Sequence, residues 1–217
     1  MSQFSPDDFS LPSWTYLDPE FLALERERIF RPSWQVICHV AEIPKPGDYQ
    51  CLDFLGESLF AMRGNDGQVR AFHNVCRHRA ARLLDGPSGH CTRRIVCPYH
   101  AWSYDLEGRL ASVGDRSAFP HLDIARESLV PVETQVYAGF VFVRLAPGLP
   151  DVAEMLAPYA GEIATHEFEN LEPIGRVTLR PRNVNWKNVG DNYSDALHIP
   201  VAHPGLTRLF GASYRVE

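Results

Sequence analysis

Residues 76–110 read CRHRAARLLDGPSGHCTRRIVCPYHAWSYDLEGRL, and the fold is decided by this stretch. It opens on Cys76-Arg77-His78 and returns, after an 18-residue spacer, to Cys97-Pro98-Tyr99-His100. Each pair offers one thiolate and one imidazole from a tight loop at a strand end, so that the two pairs can converge on one site. RRIVC and AWSYDL read as short strands, and Glu107-Gly108 as a tight turn. A Cys2His2 set satisfies two chemistries. One is a tetrahedral structural zinc. The other is a [2Fe–2S] cluster with two Cys on one iron and two His on the other. A zinc staple usually supports a small domain, and a β region of roughly 110 residues does not need one.

Working outward, WQVICHV, DYQCLDF and SLFAMR read as strands rich in β-branched and aromatic residues. Asn65-Asp66-Gly67, before QVRAFHNV, is a hairpin signal, and GFVFVRL is a further strand. Residues 34–146 therefore read as all-β. Before them, Asp18-Pro19-Glu20 opens a helix with a capping Asp and a first-turn Pro, which FLALERERIF continues and Pro32 stops. At Ala146-Pro147-Gly148-Leu149-Pro150 the composition breaks, and this predicts a domain boundary. DVAEMLAPYAGEI then reads as a helix capped by Asp151, GRVTLRPRNVNW as a strand, and WKNVGDNYSDALHI as a helix ending at Pro200.

Length and composition agree with this organisation. The 217 residues are 45% apolar and 22% charged, enough to bury a real core. Lys and Arg number 21 against 27 Asp and Glu, a net charge of −6 that does not suggest a nucleic-acid or anionic-membrane binder. The apolar runs are too short to span a bilayer, and the acidic start MSQFSPDDFS lacks the features of a signal peptide. A cytoplasmic protein is expected. The five cysteines are an odd number, which argues for thiols or metal ligands over a disulfide framework.

Cys76-x-His78 followed by Cys97-x-x-His100 closely resembles the Rieske iron–sulfur signature. The resemblance implies that these four residues hold a [2Fe–2S] cluster. Respiratory Rieske proteins carry one more Cys in each ligand loop, and neither CRHRAA nor CPYHAW does, so the likeness is to the low-potential oxygenase or ferredoxin type. Cys91 reads as a plain thiol. Tyr99 and Trp102 can tune such a cluster by hydrogen bonding and desolvation, although core packing also accounts for Trp102. Arg77, Arg79, Arg82, Arg93 and Arg94 against Asp85 leave the region at +4, a docking surface for an acidic electron donor or simply a solvated loop.

A second cluster follows in NWKNVGDNYSDALHIPVAHPGL. Asp195 and His198 are three apart, neighbours on a helix face. Pro200 should break that helix, and His203 can return toward His198 on the stiffened turn. Two imidazoles so held suit a 2-His-1-carboxylate iron site. The stretch resembles the mononuclear-iron motif Asp-x-x-His-x4-His of Rieske non-heme iron oxygenase (ring-hydroxylating oxygenase) α subunits, and the likeness runs from the Trp34 strand to this motif. By position it implies His198 and His203 as Fe(II) ligands. Asp195 is the carboxylate that orients His198 and bridges to the cluster-ligand His of a neighbouring subunit, equivalent to His100. Asn192 matches a position lining the iron site, and Asp191 a nearby acid.

The fold class implied is α+β: an all-β Rieske domain, an antiparallel β sandwich, followed by the start of a helix-grip-like catalytic domain. Residues 1–33 belong with the catalytic part, 34–146 form the Rieske domain, and 147–217 an incomplete catalytic domain. The family's third iron ligand is an acid far downstream, and Glu217 is a poor substitute, so the chain is expected to be the N-terminal portion of a longer oxygenase. The resemblance further implies electrons from NAD(P)H through a reductase, directly or by way of a ferredoxin, with O2 as cosubstrate. It implies hydroxylation or demethylation of a small organic substrate, and a trimer in which cluster and iron meet between subunits. Aromatics and quaternary ammonium compounds both occur as substrates, and a companion β subunit is left open. The alternatives are a Rieske ferredoxin with a tail, for which His198 and His203 are dispensable, and a structural zinc protein.

Overall fold

In the computed structural model, which describes residues 11–175 and 182–211, alternation along the strands builds two antiparallel sheets. The strands are β1 (Gln35–His39), β2 (Asp48–Phe54), β3 (Glu57–Arg63), β4 (Val69–His73), β5 (Ser88–His90), β6 (Ile95–Val96), β7 (Ser103–Tyr104), β8 (Leu110–Ser112), β9 (Pro131–Tyr137) and β10 (Phe140–Arg144). Seven of them form one sheet in the order β1-β10-β9-β4-β3-β2-β5, and β6-β7-β8 form the other. β3 shows why two layers result. Phe60 and Met62 point into a core shared with Tyr104, Leu106, Leu110 and Ile95, whereas Leu59 and Ala61 point into a second core with Val132, Val141 and Val143. Successive side chains of a strand face opposite sides, so one buried strand serves both cores. Residues 26–175 form one compact unit around these sheets.

The expected hairpin at Asn65-Asp66-Gly67 joins β3 to β4. Its tip is closed by Gly64 and Gln68 backbone and by Asp66, which accepts from the Gln68 amide and pairs with Arg70 at 2.6 Å. Three strands were not expected from sequence: β5, β8 and the central β9. Two helical expectations are corrected. Residues 151–163 do not make one helix but α-helical and 3-10 turns in succession, Val152–Met155, Ala157–Tyr159 and Ala160–Ile163, because Pro158 cannot continue the hydrogen-bond ladder. Asp151 does not cap with its own carboxylate. Gln135 of β9 binds that carboxylate through its amide N–H at 2.6 Å and accepts the Val152 N–H at 2.8 Å.

The remaining described residues, 11–25 and 182–211, belong to a separate unit. Its helices are α1 (Trp14–Leu17), α2 (Pro19–Glu25), α3 (Trp186–Ser194), α4 (Ile199–Ala202) and α5 (Pro204–Phe210). Asp18 caps α2 as expected, accepting from Glu20 and Phe21. The α2 segment runs on into a π-helical turn, Arg26–Phe30, ahead of Pro32. The strand expected over GRVTLRPRNVNW, residues 175–186, falls half on residues 176–181, outside the described residues, and its described end enters α3 at Trp186. Asn185 caps α3, its side chain accepting the Lys187 N–H. Lys187 is buried against Glu25 at 2.7 Å, and Tyr16 donates to Asp191 at 2.8 Å, so α1 and α2 are tied to α3. No described helix is long and apolar enough to cross a membrane.

Candidate iron–sulfur and iron sites

The two loops carrying Cys76-His78 and Cys97-His100 close in the same way. The N–H of Cys76 donates to Ala81 and the N–H of Ala80 to Cys76; the N–H of Cys97 donates to Trp102 and that of Ala101 to Cys97. Each loop thus turns back on its cysteine, and the fifth residue, Ala80 or Ala101, sits at positive φ, 54° and 55°. That common frame explains why one loop spaces its ligands by one residue and the other by two without changing the closure.

Both thiols are buried, and Cys97 lies within hydrogen-bonding reach of Cys76. The His78 and His100 rings stand 4.7 Å apart, edge to face. The donors therefore come in two pairs, thiol with thiol and imidazole with imidazole. Among the described residues no three His, Cys, Asp or Glu side chains gather as one metal ion would require. The buried Nδ1 atoms of both His78 and His100 have no hydrogen-bond partner. An orphaned buried ring nitrogen is costly, and two facing each other beside a thiol pair fit a group with two metal centres. Burial pushes the Cys76 thiol up in pKa, while Tyr104 and the His78 backbone N–H pull it back. Burial, His100 and Arg79 lower His78, favouring the neutral imidazole that ligates a metal.

Sequence reading missed Tyr104 as a partner of the site. Its Oη accepts from the Arg77 N–H at 3.0 Å, which leaves its proton to donate to Cys76 Sγ at 3.3 Å. Asn74, fully buried, was also missed. Its amide donates to the Leu84 carbonyl at 2.8 Å and its oxygen accepts from Leu83 and Leu84, tying the loop's exit to its entry. The arginine-rich loop is largely paired within the molecule. Arg77 meets Glu127 at 3.6 Å, Arg82 meets Asp53 at 3.2 Å, Arg94 reaches Ser103 and Ser112, and Arg79 lies over the Tyr99 ring. The +4 surface expected from the sequence is smaller than the count of arginines suggests.

In the second unit, Asp195 and His198 do meet, but not on one helix face. α3 ends at Ser194 and Asp195 is extended. Its carboxylate accepts the Leu197 N–H at 2.6 Å through one oxygen and the His198 Nδ1–H at 3.1 Å through the other. A side chain that captures a backbone N–H two residues ahead competes with the helix and ends it. Pro200 breaks nothing; it lies in the first turn of α4, where its missing N–H is not needed. His203, at the end of α4, brings its ring to 5.3 Å from that of His198. Asn192, Asp195, His198, Ile199, His203 and Leu206 line a pocket of about 280 Å³. The Leu197 N–H and His198 hold Asp195 below the usual carboxylate range, so it is an anion. With Nδ1–H donated to it, His198 keeps its Nε2 lone pair for a metal. Asp191, expected as a nearby acid, accepts the Tyr16 hydroxyl through its side chain and the Asp195 N–H through its carbonyl.

A β sandwich with two such loops at one end defines a Rieske-type iron–sulfur domain. The family model for the Rieske [2Fe–2S] domain matches residues 33–125, and that for the catalytic domain of ring-hydroxylating α subunits matches residues 168–216. The chain is 37% identical to the carnitine monooxygenase oxygenase subunit of Escherichia coli (strain K12), over 95% of this chain and 59% of that one. It is 36% identical to the glycine betaine monooxygenase oxygenase subunit of Chromohalobacter salexigens, over 92% of this chain and 44% of the relative. A solved quaternary ammonium Rieske monooxygenase in complex with L-carnitine superposes with TM-score 0.83 at 34% identity, covering 96% of this chain and 58% of that one. The chain carries a Rieske [2Fe–2S] domain and part of the catalytic domain of ring-hydroxylating α subunits, and it spans 44–59% of the length of these relatives.

Proposed function

We propose that this chain is the electron-receiving portion, with the opening of the iron site, of an oxygenase that hydroxylates or demethylates a small quaternary ammonium compound. The paired orphan nitrogens of His78 and His100 beside the Cys76–Cys97 thiols carry the reading. The substrate class rests on the relatives, which are named for carnitine and glycine betaine, both trimethylammonium compounds. Residues 34–146 make the electron-transfer module, and residues 147–217 open the catalytic domain, to which residues 1–33 also belong. Cys76, His78, Cys97 and His100 would hold the cluster, and His198 and His203 would bind the Fe(II). When bound, the cluster supplies one-electron transfer and the ferrous ion supplies O2 activation. Overall, O2 with two electrons and two protons converts one substrate C–H to C–OH and releases one water.

This chain's own side chains prepare that chemistry. Tyr104 points its hydroxyl proton at Cys76 Sγ, a hydrogen bond that favours the thiolate and offsets part of its charge. Asp195 fixes the tautomer and plane of His198. Asn192 and Leu206 line the pocket together with the two imidazoles. Asp195 would also receive the His100 of a second copy, which makes a homotrimer part of the proposal. The electrons would come from NAD(P)H through a reductase, directly or by way of a ferredoxin, in the cytoplasm.

Anaerobically purified protein is expected to be red-brown and to show a Rieske-type electron paramagnetic resonance signal that His100→Ala abolishes. A colourless, iron-free protein would refute the reading, and would leave the zinc alternative. In the full-length enzyme, Asp195→Asn is expected to keep both metals yet uncouple cluster oxidation from product; turnover at the parental rate would remove Asp195 from the transfer route.

A further inference from the structure

The segment that follows the second ligand loop returns to the first. Trp102 and Tyr104 are two apart on an extended stretch, so their side chains share one face. Tyr104 reaches Cys76. Trp102, only 3% exposed, lies parallel to His78, its ring 4.8 Å from the imidazole at an interplanar angle of 9°. Phe119 stands edge-on to both rings at 5.4 Å. The Trp102 backbone meanwhile accepts the Cys97 N–H that closes the second loop. One residue thus closes one ligand loop through its main chain and pins a ligand of the other through its side chain. His100 is held differently: its neighbour is the exposed Tyr99, tilted at 33°. The two histidines, both half-buried, are therefore held unequally, one clamped between aromatic rings and the other beside an exposed one.

We propose that Trp102 is a positioning residue that sets the ring plane of His78 by stacking, and so fixes the geometry of one half of the cluster site independently of its role in the core. The inference rests on the cluster reading above. A parallel aromatic face restricts rotation of the imidazole about its χ2 bond, a torsion that is otherwise broad. Apolar bulk without a planar face does not restrict it.

The test compares Trp102→Phe, Trp102→Tyr and Trp102→Leu in the full-length protein, with Leu110→Ala as a control that opens the same core on β8. The readouts are the anisotropy of the reduced cluster's paramagnetic resonance signal and the rate of cluster loss followed by visible absorption. The Phe and Tyr variants are expected to keep the parental g-values and to lose cluster within about threefold of the parental rate. Trp102→Leu is expected to shift and broaden the signal and to lose cluster at least tenfold faster. Leu110→Ala is expected to unfold at lower temperature with its g-values unchanged. Identical spectra in the Leu and Phe variants would overturn the proposal, as would a Leu110→Ala spectrum that shifts as far as Trp102→Leu. Absence of any Rieske signal in the parental protein would instead defeat the cluster reading itself.

Discussion

Replacing Lys187 by methionine removes one charge from a pair that water scarcely reaches. The side chains of Lys187 and Glu25 are 7% and 5% exposed, and Nζ lies 2.7 Å from Oε1. The ammonium also sits 5.3–5.4 Å from the ring centroids of Tyr16, Phe21 and Trp186, while the Trp186 indole N–H donates to Glu25 Oε2 at 3.1 Å. Methionine keeps most of the aliphatic stem that packs against those rings, so the loss is mainly electrostatic. It leaves the Glu25 carboxylate buried with the indole as its remaining donor, and breaking a buried pair in this way costs about 3–5 kcal/mol. At roughly 1.4 kcal/mol per factor of ten, the α3 amides of residues 189–194 should exchange with solvent about two to three and a half orders of magnitude faster. Native-state hydrogen exchange followed by mass spectrometry reads this directly. The double variant Glu25→Met with Lys187→Met, which removes both charges, should recover most of the protection. Exchange in Lys187→Met within threefold of the parent, or a double variant as unprotected as the single, would refute the view that this ion pair ties α2 to α3.

Ala80 and Ala101 hold positive φ at the closures of the two ligand loops, at a cost of about 1–2 kcal/mol each. Ala101→Gly should therefore raise chemical stability by roughly 0.5–1 kcal/mol after the entropy that glycine adds to the unfolded chain, read as a higher denaturant midpoint at unchanged slope. Arg70 and the Gln68 N–H hold Asp66 down at about 2. Its contribution to the hairpin is present above pH 4 and lost as pH falls toward 2, so the Gln68 amide resonance should titrate near 2 and cease to in Asp66→Asn. A midpoint near 4 would count against the pairing. Burial pushes the Cys51 thiol up to about 11 and that of Cys38 to about 12. At pH 8 the Cys51 thiolate fraction is about 0.1%, against roughly a quarter for an ordinary thiol, so iodoacetamide should label it at least a hundredfold more slowly in the native state than in urea. Because the raised values belong to the folded state, the stability these thiols lend is full below about pH 8.5 and is lost as pH climbs through 11–12.

What could be read from the sequence, and what could not, divides on whether a residue's partner is local. The strands around β3 and the hairpin at Asp66 were legible because alternation and turn chemistry act within a few residues. β9 was not, although it is central, because its polar residues have distant partners that hide the pattern: Glu133 pairs with Arg144, and Gln135 caps Val152 and holds Asp151. The ligand cysteines and histidines were nameable from spacing, yet the residues that orient them were not. Tyr104 and Asn74 look like ordinary strand residues until the fold lays them against Cys76 and Leu84. The iron-site segment makes the same point about competing local signals. The stretch ending in Asp195-Ala196-Leu197-His198 was read as helix closed by Pro200, but the Asp195 carboxylate takes the Leu197 N–H and ends α3 first. Pro200 is then free to start α4. That early break swings His198 out of the helix axis, lets Asp195 reach its Nδ1, and allows a single turn to bring His203 beside it. A helix continuing to Ile199 would have kept Asp195 and His198 on one face and would have left no turn in which to pair the two imidazoles. The side chain that stops the helix is the one that orients the histidine, so local folding and the chemistry of the site rest on the same carboxylate.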